Sequence, residues 1–319
     1  MPLQPGTAPQ SGPHAILADR VFDGRSWHRN AAVLVEQGRV RGLAPCGELP
    51  ADWPQQRLPA ESILAPGFID LQVNGGGGVL LNEHPTPETM RAIARAHRRF
   101  GTTACLPTFI TDTRDRTRAA IAAARSAAGR DGVLGIHLEG PFISPARPGV
   151  HRPDRIAQAA MDDLAWLTEL GAAGTSLVTL APECVPPGFV RGLAEAGVRV
   201  SVGHSEASAD VLLRAVDEGL TGVTHLFNAM PPLAGRVPGI VGTTLAEPRL
   251  IAGLIVDGIH VDPISVRAAF AAKGAEGIAL VTDAMPSVGA STDRFDLIGR
   301  TTAHWRARIS IWRRPFVTP

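Results

Sequence analysis

The chain has 319 residues, with 31 Lys and Arg against 30 Asp and Glu, a formal net charge of +1. That balance supplies no sustained field for a polyanion, which argues against non-specific nucleic-acid or anionic-membrane binding. With 45% hydrophobic and 19% charged residues the chain can bury a sizeable core, so global disorder is excluded, and the length suits one large α/β domain or one domain with a small partner.

Residues 1–14 are rich in Pro, Gly, Ser and Gln, with no basic start and no apolar run. They read as a frayed tail rather than a secretory signal. Over 15–64 short strands are expected, and AVLVEQGRVRGL, with its Gln37-Gly38 turn, predicts a hairpin. From residue 65 the texture changes. Short apolar runs at 67–73, 102–108, 133–139, 176–182, 198–203, 222–227, 251–257 and 277–283 alternate with helical stretches near 86–99, 114–128, 158–170, 187–196, 208–218 and 263–273. Eight strands with intervening helices fit a TIM-like (β/α)8 barrel over 65–299. A doubly wound open sheet has the same local pattern, and periodicity does not choose between them. The Pro- and Gly-rich connection 228–250 is long enough to suggest a functional loop.

Cys46, Cys105 and Cys184 are far apart and form no CxxC, which speaks against a disulfide framework or a thiolate zinc site. No apolar run is long enough to span a bilayer, so a soluble cytoplasmic protein with no membrane partner is expected.

The informative polar residues fall at strand ends. Glu139 closes the third strand in HLEGPF, His204 follows the fifth in VGHSE, His225 ends the sixth in THLFNAM, and Asp283 ends the eighth in VTDAMP. In a parallel barrel these ends open onto one face, where active sites form. One carboxylate and two imidazoles there can hold a catalytic zinc-type ion with an open position for water. Such an ion lowers the water's pKa from about 15.7 to about 7. Asp283, ionised at neutral pH, can accept the proton. A lone histidine after a strand is more often a loop or core residue, and a lone carboxylate more often a helix cap. Four such groups on one rim are harder to dismiss, because burying unpaired charge is costly.

Other groups sit near the same rim: His151 in RPGVH, Asn228, Arg236 in PLAGRVPG, Asp257 and His260 in VDGIH, and Gln72 and Asn74 in LQVNGGGG. Arg236 with His260 can hold a phosphate, although Arg236 alone reads equally as a surface charge. The glycines after Asn74 lack nucleotide-binding spacing and read as a permissive turn. His14, His28, His84 and His97 read as tail, turn, loop or helix-surface residues, and His137 as core.

Together the strings APGFIDLQVNG, HLEGPFISP, RPGVH, VGHSEAS, THLFNAMPPL with GRVPGIVG, GLIVDGIHV and LVTDAMPSVG resemble the N-acetylglucosamine-6-phosphate deacetylases of the amidohydrolase superfamily. The similarity runs from about residue 15 to about residue 300. It implies hydrolysis of the acetamide of N-acetylglucosamine 6-phosphate to glucosamine 6-phosphate and acetate. It implies a divalent metal, one Zn in the first instance with Fe, Co or Mn as alternatives, on Glu139, His204 and His225, with Asp283 as acid/base. His151 matches the contact to the acetamido carbonyl, and Asn228 and Ala229 match substrate-binding positions. Arg236 and His260 match the pair that binds the 6-phosphate across a homodimer interface. Gln72 stands where many amidohydrolases carry the first histidine of a second-metal pair, and its neutral amide favours one metal. The segment 15–64 corresponds to strands of a small β-sandwich domain. Hydrolysis of another amide or a cyclic amide is the alternative within the superfamily.

The resemblance fades after FDLIGR. Reading the codons possible for residues 300–319 from each third base permits GTLAGSHLDMATAVRNA, the kind of segment the family carries there. An out-of-frame tail over 300–319 is therefore expected, with barrel and small domain both incomplete at that end. A chain without the last barrel helix is expected to fold poorly, and a folding-defective, inactive remnant is the third reading.

Overall fold

The computed structural model describes residues 12–291 and the backbone of two short strands that follow. By its internal contacts the chain divides after Gly67. The first unit is a sheet of β1 (His14–Phe22), β2 (Trp27–Glu36), β3 (Arg39–Pro45), β4 (Gln55–Arg57) and β5 (Ile63–Leu64). β1 and β2 pair antiparallel, and β4 and β5 both lie parallel to β1. The β2–β3 hairpin turns at Gln37 and Gly38, with φ of +52° and +69°. That geometry suits Gly38 and matches the right-handed twist of the strands. His14, read as tail, begins β1 opposite Val35.

The second unit carries the barrel. Its strands are β6 (Phe68–Val73), then after the small β7 (Gly75–Gly76) and β8 (Val79–Leu80) hairpin, β9 (Thr102–Ile110), β10 (Gly135–Glu139), β11 (Thr175–Leu180), β12 (Arg199–Val202), β13 (Gly222–Val223), β14 (Ile251–Ile255) and β15 (Ile278–Val281). Eight of these form one parallel sheet in chain order from β6 to β15, with β7 and β8 apart. The ends meet through a parallel bridge between Val73 and Ala284 and a 2.9 Å bond from the Asp283 amide to the Gln72 carbonyl. The closed ring, not the open sheet, is therefore the fold.

Helices α1 (Pro87–Arg98), α2 (Arg114–Ala127), α3 (Asp163–Leu167), α4 (Phe189–Glu195), α5 (Ala209–Asp217), α6 (Gly239–Ala246) and α7 (Pro263–Lys273) connect the strands. Their starts follow local chemistry. The side chains of Thr86, Thr113, Ser208 and Asp262 each accept a backbone N–H at the first turn, and proline opens α1 and α7. In α1 the buried Met90, Ile93, Ala94 and His97 recur at helical spacing. Met90, Ile93 and Ala94 pack into the core cluster that includes Ile136, Leu138, Val178, Leu180, Val200 and Val202.

Four further expectations are corrected. The helix expected over 158–170 contracts to α3, with a separate short turn at Gly171–Ala173. The loop expected over 228–250 contains α6, whose Ile240, Val241, Thr243 and Thr244 are buried. A helix apolar nearly all round leaves no stripe to detect. The sixth strand is only two residues long, so His225 lies beyond it. His97 is buried rather than on the helix surface, 3.0 Å from the Gly75 carbonyl through Nε2. Among the described residues no helix follows β15. β16 (Arg294–Leu297) and β17 (Arg300–Ala303) pair antiparallel instead. Residues 304–319, most of the segment expected to be out of frame, lie outside the described residues. No helix among those described is long and apolar enough to cross a membrane.

Candidate metal and catalytic site

Glu139 is the last residue of β10. His204, His225 and Asp283 each lie two residues past their strands. All three adopt left-handed backbone, with φ of +51°, +36° and +49°. For residues other than glycine such backbone costs about 1–3 kcal/mol each and survives where surrounding structure demands it. It turns the chain at the barrel mouth. Gly203 assists at one of these corners, since a Cβ there would lie 2.7 Å from Thr179 Cγ2.

The turns bring the side chains together. Glu139 Oε1 lies 3.0 Å from His204 Nε2 and 2.9 Å from His225 Nε2, and the two nitrogens are 3.0 Å apart. All three groups are buried. His204 Nδ1 lies 2.8 Å from the Arg147 carbonyl, which can only accept, so Nδ1 carries a proton and Nε2 is the atom that can share a second proton with Glu139 or give its lone pair to a cation. A carboxylate oxygen and a bare imidazole nitrogen at this separation need a proton or a cation between them. One imidazole proton from His225 cannot satisfy every pair. The separations are also close to the roughly 3.3 Å edge of a tetrahedral shell with bonds of about 2.0–2.1 Å. The donor set therefore fits a divalent cation.

His151 competes for the third position. Glu139, His151 and His204 each offer a ligand atom within 4.8 Å of the others. His151 Nε2 is 4.0 Å from Glu139 Oε1, against 2.9 Å for His225, which makes His225 the better third donor. Thr111 Oγ1 holds His151 Nδ1 at 2.7 Å. Nothing about Thr111 stands out in the sequence beyond its place just past the second barrel strand.

Charge is distributed unevenly among these groups. Burial raises the Glu139 pKa, but hydrogen bonds and charge from His204 and His225 outweigh it and hold the carboxyl well below its usual range. Burial lowers the His225 pKa, and Glu139 more than restores it. Burial, with an added push from His204, takes His151 down to about 3. Asp283 is pushed up to about 7 by burial and then by the charge of Glu139. Its Oδ1 accepts a hydrogen bond from Asn74 Nδ2 at 2.6 Å.

These groups line a pocket of about 300 Å³ shared with Asn228, Ala229 and His260. His260 is exposed and bonded to Asp257 through Nδ1 at 2.6 Å. Arg236 is exposed and is not among the residues lining the pocket, so one chain does not bring the expected phosphate pair together. Gln72 is buried, and its Nε2 donates to Glu139 Oε2 at 3.2 Å. It steadies the carboxylate from behind. A larger cavity of about 360 Å³ lies within the barrel among residues such as Leu177, Arg199 and Ile251, but no carboxylate lines it. His137 and Gln72 border that cavity, and burial takes His137 down to about 4, in keeping with a core residue.

The chain is similar to proteins of known family. The amidohydrolase family model matches residues 63–296. An N-acetylgalactosamine-6-phosphate deacetylase from Shewanella sp. (strain ANA-3) is 43% identical over 88% of this chain and 72% of its own length. An N-acetylglucosamine-6-phosphate deacetylase from Haemophilus influenzae is 34% identical over 86% of this chain and 72% of its own. The crystal structure of N-acetylglucosamine-6-phosphate deacetylase from Pasteurella multocida superposes with a TM-score of 0.86 at 32% identity, covering 92% of this chain and 77% of that one.

Proposed function

We propose that this chain, which belongs to the amidohydrolase family, hydrolyses the acetamide of an N-acetylated hexosamine 6-phosphate. N-acetylglucosamine 6-phosphate is the first substrate, with glucosamine 6-phosphate and acetate as products. The observation that carries the reading is the convergence of Glu139, His204 and His225 at 2.9–3.0 Å in one pocket with Asp283. The names of similar proteins supply the sugar phosphate.

Glu139, His204 and His225 would hold one divalent metal, zinc in the first instance. When bound, the metal supplies Lewis acidity that polarises the acetamide carbonyl and activates water. Gln72 keeps Glu139 oriented through Oε2. Thr111 Oγ1 holds the His151 ring through Nδ1 and leaves Nε2 as the ring atom for the substrate, where in the Nε2–H tautomer it would donate to the carbonyl oxygen as negative charge develops. Asp283 takes the proton of the attacking water and returns it to the leaving amine. Asn228 and Ala229, on the pocket wall, hold the sugar, and His260 contributes to the phosphate contact. The exposure of Arg236, away from the pocket of its own chain, supports a homodimer in which it completes the phosphate site of the neighbouring copy. A cytoplasmic location accords with a phosphorylated sugar as substrate.

A specific observation favours a second reading, the galactosamine epimer. The relative at 43% identity carries that name, while the relative at 34% carries the glucosamine one. Acetate release from both 6-phosphates, with metal analysis of the same preparation, tests the proposal. One metal ion per chain and turnover of a phosphorylated epimer are expected. Metal-loaded protein that releases acetate from neither overturns it, and equal rates on the unphosphorylated sugars remove the phosphate from it.

A further inference from the structure

We propose that Asn74 works as a two-sided bracket, its amide N–H fixing one oxygen of Asp283 and its carbonyl oxygen accepting the N–H of the bound acetamide. This deepens the functional reading above and rests on it.

Asn74 is 2% exposed and lines the pocket beside Asp283. Its Nδ2 donates to Asp283 Oδ1 at 2.6 Å. Its Oδ1 is buried with no protein partner among the described residues. Buried polar atoms nearly always find partners, and an amide oxygen can pair only with an N–H or O–H donor. The bond to Asp283 decides which way the amide faces. Nδ2 must meet the carboxylate, so Oδ1 is the atom left over.

The backbone allows little freedom to turn away. The Asn74 amide donates to the Ala284 carbonyl at 2.9 Å, and the Asn74 carbonyl accepts from Leu81 at 3.2 Å. The next residues are wedged. A Cβ on Gly75 would lie 2.6 Å from the Val79 carbonyl oxygen, and one on Gly76 would lie 2.9 Å from the ring of buried His97. The glycine run therefore acts as a seat that sets Asn74 against Asp283.

The scissile group contains one N–H, and it sits on the nitrogen that leaves. When the C–N bond breaks, its electron pair stays on nitrogen, and the proton that Asp283 took from water passes to that nitrogen. Asn74 exchanges no proton. By holding Asp283 Oδ1 and the substrate N–H together, it aligns the carboxyl with the atom that must receive the proton. Oδ2 is then the oxygen that carries the proton. Asn74 is on this view a substrate-contacting residue as well as a positioning one.

The test uses metal-loaded full chain and two substrates, the N-acetylated sugar phosphate and its oxygen-ester counterpart, 2-O-acetylglucose 6-phosphate, which lacks the N–H. Asn74→Ala is expected to lower kcat/KM on the amide by about 10- to 100-fold with metal content unchanged, and to cost the ester several-fold less. Asn74→Asp keeps an acceptor oxygen but removes the donor. It is expected to lower kcat on both substrates while leaving the amide-to-ester ratio of kcat/KM near the wild-type value. Equal losses on amide and ester in Asn74→Ala, or no loss, overturn the inference. Should Asn74→Ala fail to fold, Asn74→Leu, of similar volume and without the acceptor oxygen, takes its place: a fall in the amide-to-ester ratio of kcat/KM supports the contact, and an unchanged ratio overturns it. Wild type inactive on both epimers overturns the functional reading together with this one, whereas active wild type with indifferent variants overturns this one alone.

Discussion

Thr282 donates its hydroxyl to Asp70 Oδ2 at 2.6 Å, and this bond clasps the last barrel strand to the first. Asp70 Oδ1 also accepts the Gln72 amide at 3.1 Å and the Thr282 amide at 3.3 Å. The carboxyl is buried, and burial raises its pKa despite these bonds. Closure at this seam positions Asp283 one residue beyond Thr282. Thr282→Val should therefore destabilise the fold by about 1–3 kcal/mol, since it leaves a buried carboxylate oxygen without its donor. Urea denaturation reads this directly, and an unchanged midpoint would show that the clasp is dispensable.

Removing the proposed metal ligands should separate binding from chemistry. Glu139→Gln should lose both metal and turnover, because the oxygen shared by His204 and His225 is no longer anionic. Asp283→Asn should retain metal and lose turnover. Elemental analysis of both variants checks the assignment, and the reverse pattern would exchange the two roles. Zinc at about 100 times its dissociation constant should stabilise wild type by about 2.7 kcal/mol and leave Glu139→Gln unmoved.

Gln72→Leu tests the support behind the metal centre. It removes the donor to Glu139 Oε2 without touching the three converging atoms. Loss of such an outer partner typically weakens metal affinity by about 10- to 100-fold. Competition against a chelator measures the change. Wild-type affinity in the variant would mean that Gln72 only fills space.

Asp163 provides a pH-dependent contribution to stability away from the pocket. Burial alone would raise its pKa, but bonds from Arg114, the Ala160 amide and Trp166 outweigh burial and bring it down to about 2. The Arg114 guanidinium grips both oxygens, at 2.6 and 2.9 Å. A carboxyl depressed in the folded state stabilises fully above its unfolded pKa of about 4, and that contribution is lost as pH falls toward 2. Asp163→Asn should cost about 2 kcal/mol at pH 7 and progressively less below pH 4. Denaturation series at several pH values measure the difference, and a gap that does not change with pH refutes the linkage.

Legibility of the fold tracked local chemistry. Helices α1, α2, α5 and α7 stood out because each has a side-chain cap and an apolar or alanine-rich body. α6 did not, because buried Ile240 and Val241 sit in a Gly- and Pro-rich segment with no polar face for contrast. His97 reads as a surface residue because Arg95, Arg98 and Arg99 surround it in sequence, while the Gly75 carbonyl that claims it lies 22 positions away.

The order of strands and the polar residues at their ends were set by the sequence alone, since period and residue type are local properties. Family membership followed from the same strings. What required the folded chain was convergence. Only ring closure at Asp70 and Thr282 and the left-handed turns at His204, His225 and Asp283 bring distant side chains within 3.0 Å of Glu139 or into the pocket beside it. Thr111, Gln72 and Asn74 gained their roles in the same way. A polar side chain's partner across a barrel is decided by three-dimensional proximity, which no spacing along the chain encodes.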